Sequence, residues 1–106
     1  MNKNIDFKDV VNRSIKIRER YHELERKHHD SEWTVQEDAL AFLSDAGLVG
    51  RLTMAHTGKW VHNGDTKEEL THKLGECVWW LAILANELDI DLTEATEYFL
   101  NKAEKI

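Results

Sequence analysis

Apolar residues recur along most of the chain at spacings of three and four, which is the period of an amphipathic α-helix. The first such segment covers residues 6–28. Its predicted core stripe comprises Phe7, Val10, Val11, Ser14, Ile17, Tyr21, Leu24 and His28. Arg18, Arg20 and Arg26 form a basic patch with interleaved glutamates, which we expect to be a solvated face with i,i+4 ion pairs.

Capping signals place three further helices. T-V-Q-E at 34–37 is a capping box that predicts a second helix over 35–55. Thr66 with Glu69 predicts the N-terminus of a third helix over 66–88, and Asp91 caps a fourth over 92–104. Residues 56–65 carry turn signals and predict a loop, with a short hairpin as the alternative.

These elements predict an all-α fold, a four-helix bundle formed by one domain over residues 1–106. The chain contains no proline, so the strongest helix breaker is absent. Short connections place neighbouring helices antiparallel. Gly47 and Gly50 lie inside the second helix, where each costs about 1 kcal/mol relative to alanine but lets another backbone come close. The fourth helix is short, so we expect a second subunit to cover part of the apolar surface.

Composition narrows the function. The 106 residues are 42% hydrophobic and 32% charged, as in a globular domain. Twenty acids against 14 bases give a net charge of −6, which argues against general nucleic-acid binding. A single cysteine excludes an intrachain disulfide and favours a cytoplasmic setting. We find no secretory signal, and the longest apolar run, Cys77 to Ala85, is too short to span a membrane.

One acid lies on the apolar part of each long central helix, Asp45 on the second and Glu76 on the third. A buried carboxylate is costly unless it is paired, hydrogen-bonded or bound to a cation. One explanation is a structural ion pair with Lys73 or Arg51. The other is a metal site, because acids projecting inward from facing helices are how bundles hold divalent ions. Mg²⁺ takes oxygen ligands and commonly bridges carboxylates to substrate phosphates.

Two segments carry a family resemblance: L-A-F-L-S-D-A-G-L-V-G-R-L at 40–52 and L-G-E-C-V-W-W-L-A-I-L-A-N-E-L-D-I-D-L-T-E-A at 74–95. They resemble the second and later helices of MazG-type nucleotide pyrophosphohydrolases, most closely the short single-domain bacterial MazG-like proteins. The resemblance implies a helical homodimer or homotetramer. It also implies cleavage of a nucleoside triphosphate to the monophosphate and pyrophosphate, dependent on Mg²⁺ with Mn²⁺ as substitute.

The acidic motifs of that family are incomplete in this sequence. The E-x-x-E motif of the second helix aligns with Asp45 and Leu48, and the E-x-x-D motif of the third aligns with Lys73 and Glu76. A further acid often seen after the first motif is Arg51 in this chain. Two of the four metal-ligand positions are therefore not acids, and we assign no catalytic residue.

Three outcomes remain open from the sequence. In the first, Asp38, Glu69 and His72 join Asp45 and Glu76 in a rebuilt metal shell that retains nucleoside-triphosphate pyrophosphohydrolase activity. Asp38 lies seven residues before Asp45, and Glu69 and His72 lie seven and four before Glu76, so each shares a helix face with its acid.

In the second outcome, Lys73 and Arg51 replace the metal charge and bind the phosphates of a nucleoside triphosphate directly. In the third, these two bases form an ion-pair network with Asp45 and Glu76. The chain is then a catalytically inactive oligomeric scaffold.

Two further features have structural interpretations. Trp79 and Trp80 are adjacent on the helix and point about 100° apart, so we expect one to enter the bundle and the other a partner subunit. Cys77 has no histidine partner, and we interpret it as a buried, inert thiol.

Overall fold

A computed structural model describes residues 4–106, which form four α-helices and no β-strand. The helices are α1 (Phe7–His29), α2 (Val35–His56), α3 (Thr66–Glu87) and α4 (Leu92–Ala103). The predicted all-α class is confirmed, and each predicted boundary falls within one residue of the observed one. Residues 57–65 form turns and irregular structure, so the alternative of a hairpin there is wrong.

The helices begin where side chains satisfy their free backbone amides. At α2 the Thr34 hydroxyl accepts from the Glu37 amide, and the Glu37 carboxylate accepts from the Thr34 amide, as predicted. At α3 the prediction of Thr66 as N-cap is wrong, because Thr66 is already helical. Asp65 is the N-cap, and its carboxylate accepts from the amide of Glu68.

The core lies on α3. Among residues 4–106, four of the five buried apolar residues belong to this helix: Trp80, Ala82, Ile83 and Ala85. The fifth, Leu52, comes from α2. Within the described chain, α3 packs against each of the other three helices, whereas the backbones of α1 and α2 do not approach each other closely. The bundle is therefore an open arrangement around one central helix.

Only part of the predicted core stripe of α1 is buried. Ile17, Tyr21 and Leu24 are exposed, whereas Ser14 and Arg18 are buried. The expectation that Arg18 lies on a solvated face is thus wrong. The physical reason is that α1 packs mainly on α3, with a smaller contact to α4, so that only a narrow strip of its surface is covered. Arg18 lies on that strip and pairs with Glu25 and with Asp38 of α2.

Both members of the tryptophan pair are used within the chain. Trp80 is buried, and its indole ring packs at an angle of 62° against that of Trp79, with 4.6 Å between centroids. Trp79 is half-buried and packs against α1: it lies edge-on to Tyr21, and its Nε1 donates to the Ser14 carbonyl over 3.3 Å. Contacts within the chain account for the position of both rings. The prediction that one ring faces a partner subunit stays a prediction.

Candidate functional site

The two lone acids meet at one cation, which comes from the chain itself. Packing of α2 on α3 brings Asp45 opposite Lys73 and Glu76, which lie one turn apart on α3. The Lys73 Nζ lies 3.1 Å from Asp45 Oδ1 and 2.8 Å from Glu76 Oε1. We call these three residues the acid–lysine cluster. The ammonium group lies between the carboxylates and neutralises one of the two charges.

A tryptophan fixes the Asp45 carboxylate from its other side. Trp80 Nε1 donates to Asp45 Oδ2 over 2.8 Å, so each oxygen of Asp45 has a donor. The hydrogen bond to Glu76 raises the pKa of Lys73, with that to Asp45 adding to it, against the opposing effect of partial burial. Lys73 is therefore firmly protonated, and the cluster is a satisfied ion-pair network at the edge of the core.

This geometry does not suit a divalent metal as it stands. A cation held by Asp45 and Glu76 would have to displace the Lys73 ammonium, which repels it. In residues 4–106, no group of three or more histidine, cysteine, aspartate or glutamate side chains is placed to hold a metal ion. Lys73 is also poorly suited to hold a phosphate, because its ammonium group already contacts two carboxylates.

Two of the three additional metal ligands proposed from the sequence bind other side chains. Asp38 binds Arg18 over 2.8 Å, and the Glu69 carboxylate binds His62 Nε2 over 2.7 Å. Of the three, only His72 comes near the cluster, with its Nε2 3.7 Å from Glu76 Oε1 and its ring largely exposed. The rebuilt shell of five ligands is thus not assembled in this structure.

Arg51 does not pair with Asp45. Its guanidinium carbon lies 4.4 Å from the centroid of the Trp60 ring, a cation–π contact that joins α2 to the loop before α3. Among the described residues, no ion pair of Arg51 is found. The Arg51 guanidinium, which the sequence analysis placed at the phosphate-binding or ion-pair site, therefore lies outside the acid–lysine cluster.

A second charged cluster, which the sequence interpretation missed, lies between α1, the start of α2 and the end of α3. Arg18 donates to Asp38 over 2.8 Å and to Glu25 over 3.0 Å, and Asp38 is 0% exposed. Two buried atoms, Arg18 Nε and Asp38 Oδ2, have no hydrogen-bond partner. The signal was present in the sequence. Arg18 follows Ser14 by four residues and Asp38 precedes Asp45 by seven, so both occupy inward positions of their helices.

Glu87 completes this cluster from α3. Although the residue is exposed, its carboxyl lies within hydrogen-bond reach of Asp38, and loss of water raises the pKa of Glu87 to about 7. The hydrogen bond to Asp38 and repulsion from its charge act in the same direction, and Arg18 opposes them. A protonated Glu87 can supply the donor that Asp38 Oδ2 lacks. Glu25 differs, because the Trp33 amide and Arg18 outweigh its desolvation and lower its pKa.

Cys77 follows the cluster on α3 and is half-buried. Burial raises the pKa of its thiol, and the nearby charge of Asp45 raises it further, against the effect of Lys73. A groove of about 630 Å³ lies elsewhere, between the N-termini of α1 and α4 and the end of α3, lined among others by Phe7 and Leu92. Neither Asp45, Lys73 nor Glu76 lines it, so the cluster and the groove are separate features.

Comparison of the chain with known protein families, with curated proteins and with solved structures found no match. Within residues 4–106, the helices lack the combination of length and apolar character that spanning a bilayer requires.

Proposed function

We propose that this chain is a MazG-like helical protein in which an internal lysine has replaced the metal ion, and that it acts as a catalytically inactive oligomeric scaffold. The observation that carries the proposal is the position of Lys73 Nζ, 3.1 Å from Asp45 and 2.8 Å from Glu76. Lys73 stands where the resemblance places a metal-binding acid, and it forms ion pairs with both acids that remain.

Charge and hydrogen bonding both support this proposal. A metal site needs carboxylates that are free to coordinate, whereas Asp45 already accepts from Lys73 and Trp80. The resemblance assigns a metal ligand to Leu48, which has no oxygen to offer. The cluster therefore ties α2 to α3 by an ion pair in the place where the related enzymes would do chemistry.

The second candidate is a nucleoside-triphosphate pyrophosphohydrolase that binds Mg²⁺ only together with its substrate. One observation favours it: Asp45 and Glu76 still converge on a single cation from two facing helices. A substrate phosphate could draw Lys73 away and leave the two carboxylates to the metal. Metal-independent binding of a nucleotide through Lys73 and Arg51 is less favoured, because Arg51 lies on Trp60.

Calorimetric titration separates these functions. Mg²⁺ and Mn²⁺ are titrated into the protein, alone and with a non-hydrolysable nucleoside triphosphate, and pyrophosphate release is measured with the hydrolysable form. We expect no binding heat and no release. Metal-dependent release that is lost in Asp45→Ala would refute the scaffold and establish the enzyme. Nucleotide binding without metal, lost in Lys73→Ala, would establish the binding module.

A restoration experiment tests the role of Lys73 itself. The double variant Leu48→Glu with Lys73→Glu supplies acids at the two positions where the sequence departs from the family's acidic motifs. It gives four carboxylates around the site. We expect this variant to bind Mn²⁺ where the natural chain does not. Lys67→Glu, on the exposed start of α3, adds an acid away from the cluster and serves as control. Absence of metal binding by the double variant would show that Lys73 does not occupy a metal position.

A further inference from the structure

The side of α2 that faces away from α3 is apolar and open to solvent. Its residues recur at intervals of three and four, which places them on one helix face. They are Leu40, Leu43, Gly47, Gly50 and Met54, and we call them the α2 outer face. Leu40 is 65% exposed, Leu43 is 66% exposed, and Met54 is exposed as well. The opposite side of the helix supplies Asp45 and the buried Leu52 to the contact with α3.

The two glycines of this face have no explanation within the chain. Glycine weakens a helix relative to alanine, so a helix-interior glycine usually reflects a close approach or a special conformation. Gly47 and Gly50 have ordinary helical backbones, and a Cβ built on either meets no atom within 4 Å. Gly64 shows the contrast: it has a φ of 130°, and a Cβ there would lie 2.8 Å from Glu69 Oε2.

The surface area of the chain is larger than that of a typical monomer. Residues of a folded 12.4 kDa monomer are expected to expose about 6,100 Å², whereas this chain exposes 8,521 Å². The radius of gyration is 16.3 Å, against about 13 Å expected for a compact domain of this length. The surplus of roughly 2,400 Å² is summed over the whole chain, and it lies at the upper end of the roughly 1,000–2,500 Å² that one subunit buries in an obligate homodimer.

Charge indicates what covers this face. The chain carries −6 overall, so two copies repel each other over most of their surfaces. The five residues of the α2 outer face are uncharged, and the exposed Arg51 at the border of the face has its guanidinium over the Trp60 ring. A second copy can therefore approach there without placing like charges in contact, and it brings the same apolar face with it.

We infer that the α2 outer face is the docking surface for a second copy of this chain. The two α2 helices cross at a two-fold axis, with Gly47 and Gly50 at the crossing and the leucines packed on either side. A two-fold axis makes the interface isologous, so each glycine meets the same pair on its partner. The inference specifies the interface of the oligomer proposed above. A dimer built on another surface would refute it and leave the oligomeric scaffold intact.

Sedimentation equilibrium tests the inference with Gly47→Leu/Gly50→Leu. Leucine is a better helix former than glycine, so this variant keeps its helix but cannot pack closely at the crossing. We expect a dimer of about twice the 12.4 kDa chain mass for the natural protein, and a dimer at least ten-fold weaker for the variant. Gly75→Leu is the matched control on α3, since its Cβ also meets nothing, and we expect it to dimerise normally.

A second variant covers the case in which the double substitution fails to fold. Leu43→Glu places like charges across the axis and is expected to give a monomer with unchanged helix content. In a Cys77→Ser background, Gly47→Cys is expected to form an intermolecular disulfide on oxidation, whereas Gly75→Cys is not. A monomeric natural protein at 100 µM, or unchanged dimerisation in both α2 variants, would overturn the inference. An equal loss with Gly75→Leu would do the same.

Discussion

Replacing Arg18 with methionine would leave Asp38 without its cation in the interior. Asp38 is wholly inaccessible to solvent, and the Arg18 guanidinium donates to its Oδ1 over 2.8 Å. Breaking a buried pair by removing one partner typically costs about 3–5 kcal/mol, because an uncompensated charge remains. A protonated Glu87 can donate to Asp38 Oδ2, but a neutral carboxyl does not replace the positive charge that Arg18 supplies. We expect Arg18→Met to lower the free energy of unfolding by about 3–5 kcal/mol.

Urea denaturation followed by circular dichroism measures this loss, at one protein concentration because assembly contributes to stability. Arg20→Met, on the exposed side of α1, is the matched control and should change stability by less than about 0.5 kcal/mol. Arg18→Met/Asp38→Leu removes both charges and should recover most of the loss. A change below about 1 kcal/mol for Arg18→Met would refute the assignment of a buried, mutually dependent pair.

Three further predictions follow from single side chains. Glu87 has a folded-state pKa of about 7, above its ordinary 4.5. Between these two pH values the folded chain retains a proton that the unfolded chain releases. The free energy of unfolding therefore falls as the pH rises from about 4.5 to 7. Glu87→Gln should remove this fall and be about 1 kcal/mol more stable at pH 8 in urea titrations, a figure discounted for solvent screening; a parallel decline in both proteins would contradict it. Asp65→Ala should cost about 1 kcal/mol in thermal unfolding through loss of the α3 N-cap, with no effect expected of Lys67→Ala. Cys77 should react with iodoacetamide at pH 8 more slowly than an unfolded-chain thiol, because its pKa is raised, and urea should abolish the difference.

The helices were predictable because their signals are local. Periodicity and N-caps lie within a few residues of each boundary, and Thr34 with Glu37 is a direct example. The error at α3 came from two adjacent candidates for one role. Asp65 and Thr66 both cap well, and only the backbone conformation decides between them. The contact between Lys73 and both acids was one of the sequence alternatives, since Lys73 lies one turn from Glu76.

The helix pattern places Arg18 and Asp38 on inward positions, but it does not say which inward positions are covered in the fold, nor which partner Arg51 contacts. Which part of the α1 stripe is covered follows from how α1 crosses α3, and that is a property of the assembled fold. Arg51 had an aromatic partner in a loop, and loop conformation is poorly specified by residue type. Asp38 was recognised as facing inward. Its partner escapes the pattern because bases and glutamates interleaved at i,i+4 spacing predict a solvated face, and Arg18 lies among them.

The central position of α3 determines when the nascent chain can acquire its structure. A ribosome delivers α1 and α2 first, and these two helices have no backbone contact with each other. Nearly all of the buried apolar residues arrive with α3, which ends at Glu87. At about 5–20 residues per second, the first two helices wait a few seconds for it. During that interval the uncovered apolar faces of α1 and α2 can bind chaperones or aggregate. The risk of aggregation is therefore higher during synthesis than after folding.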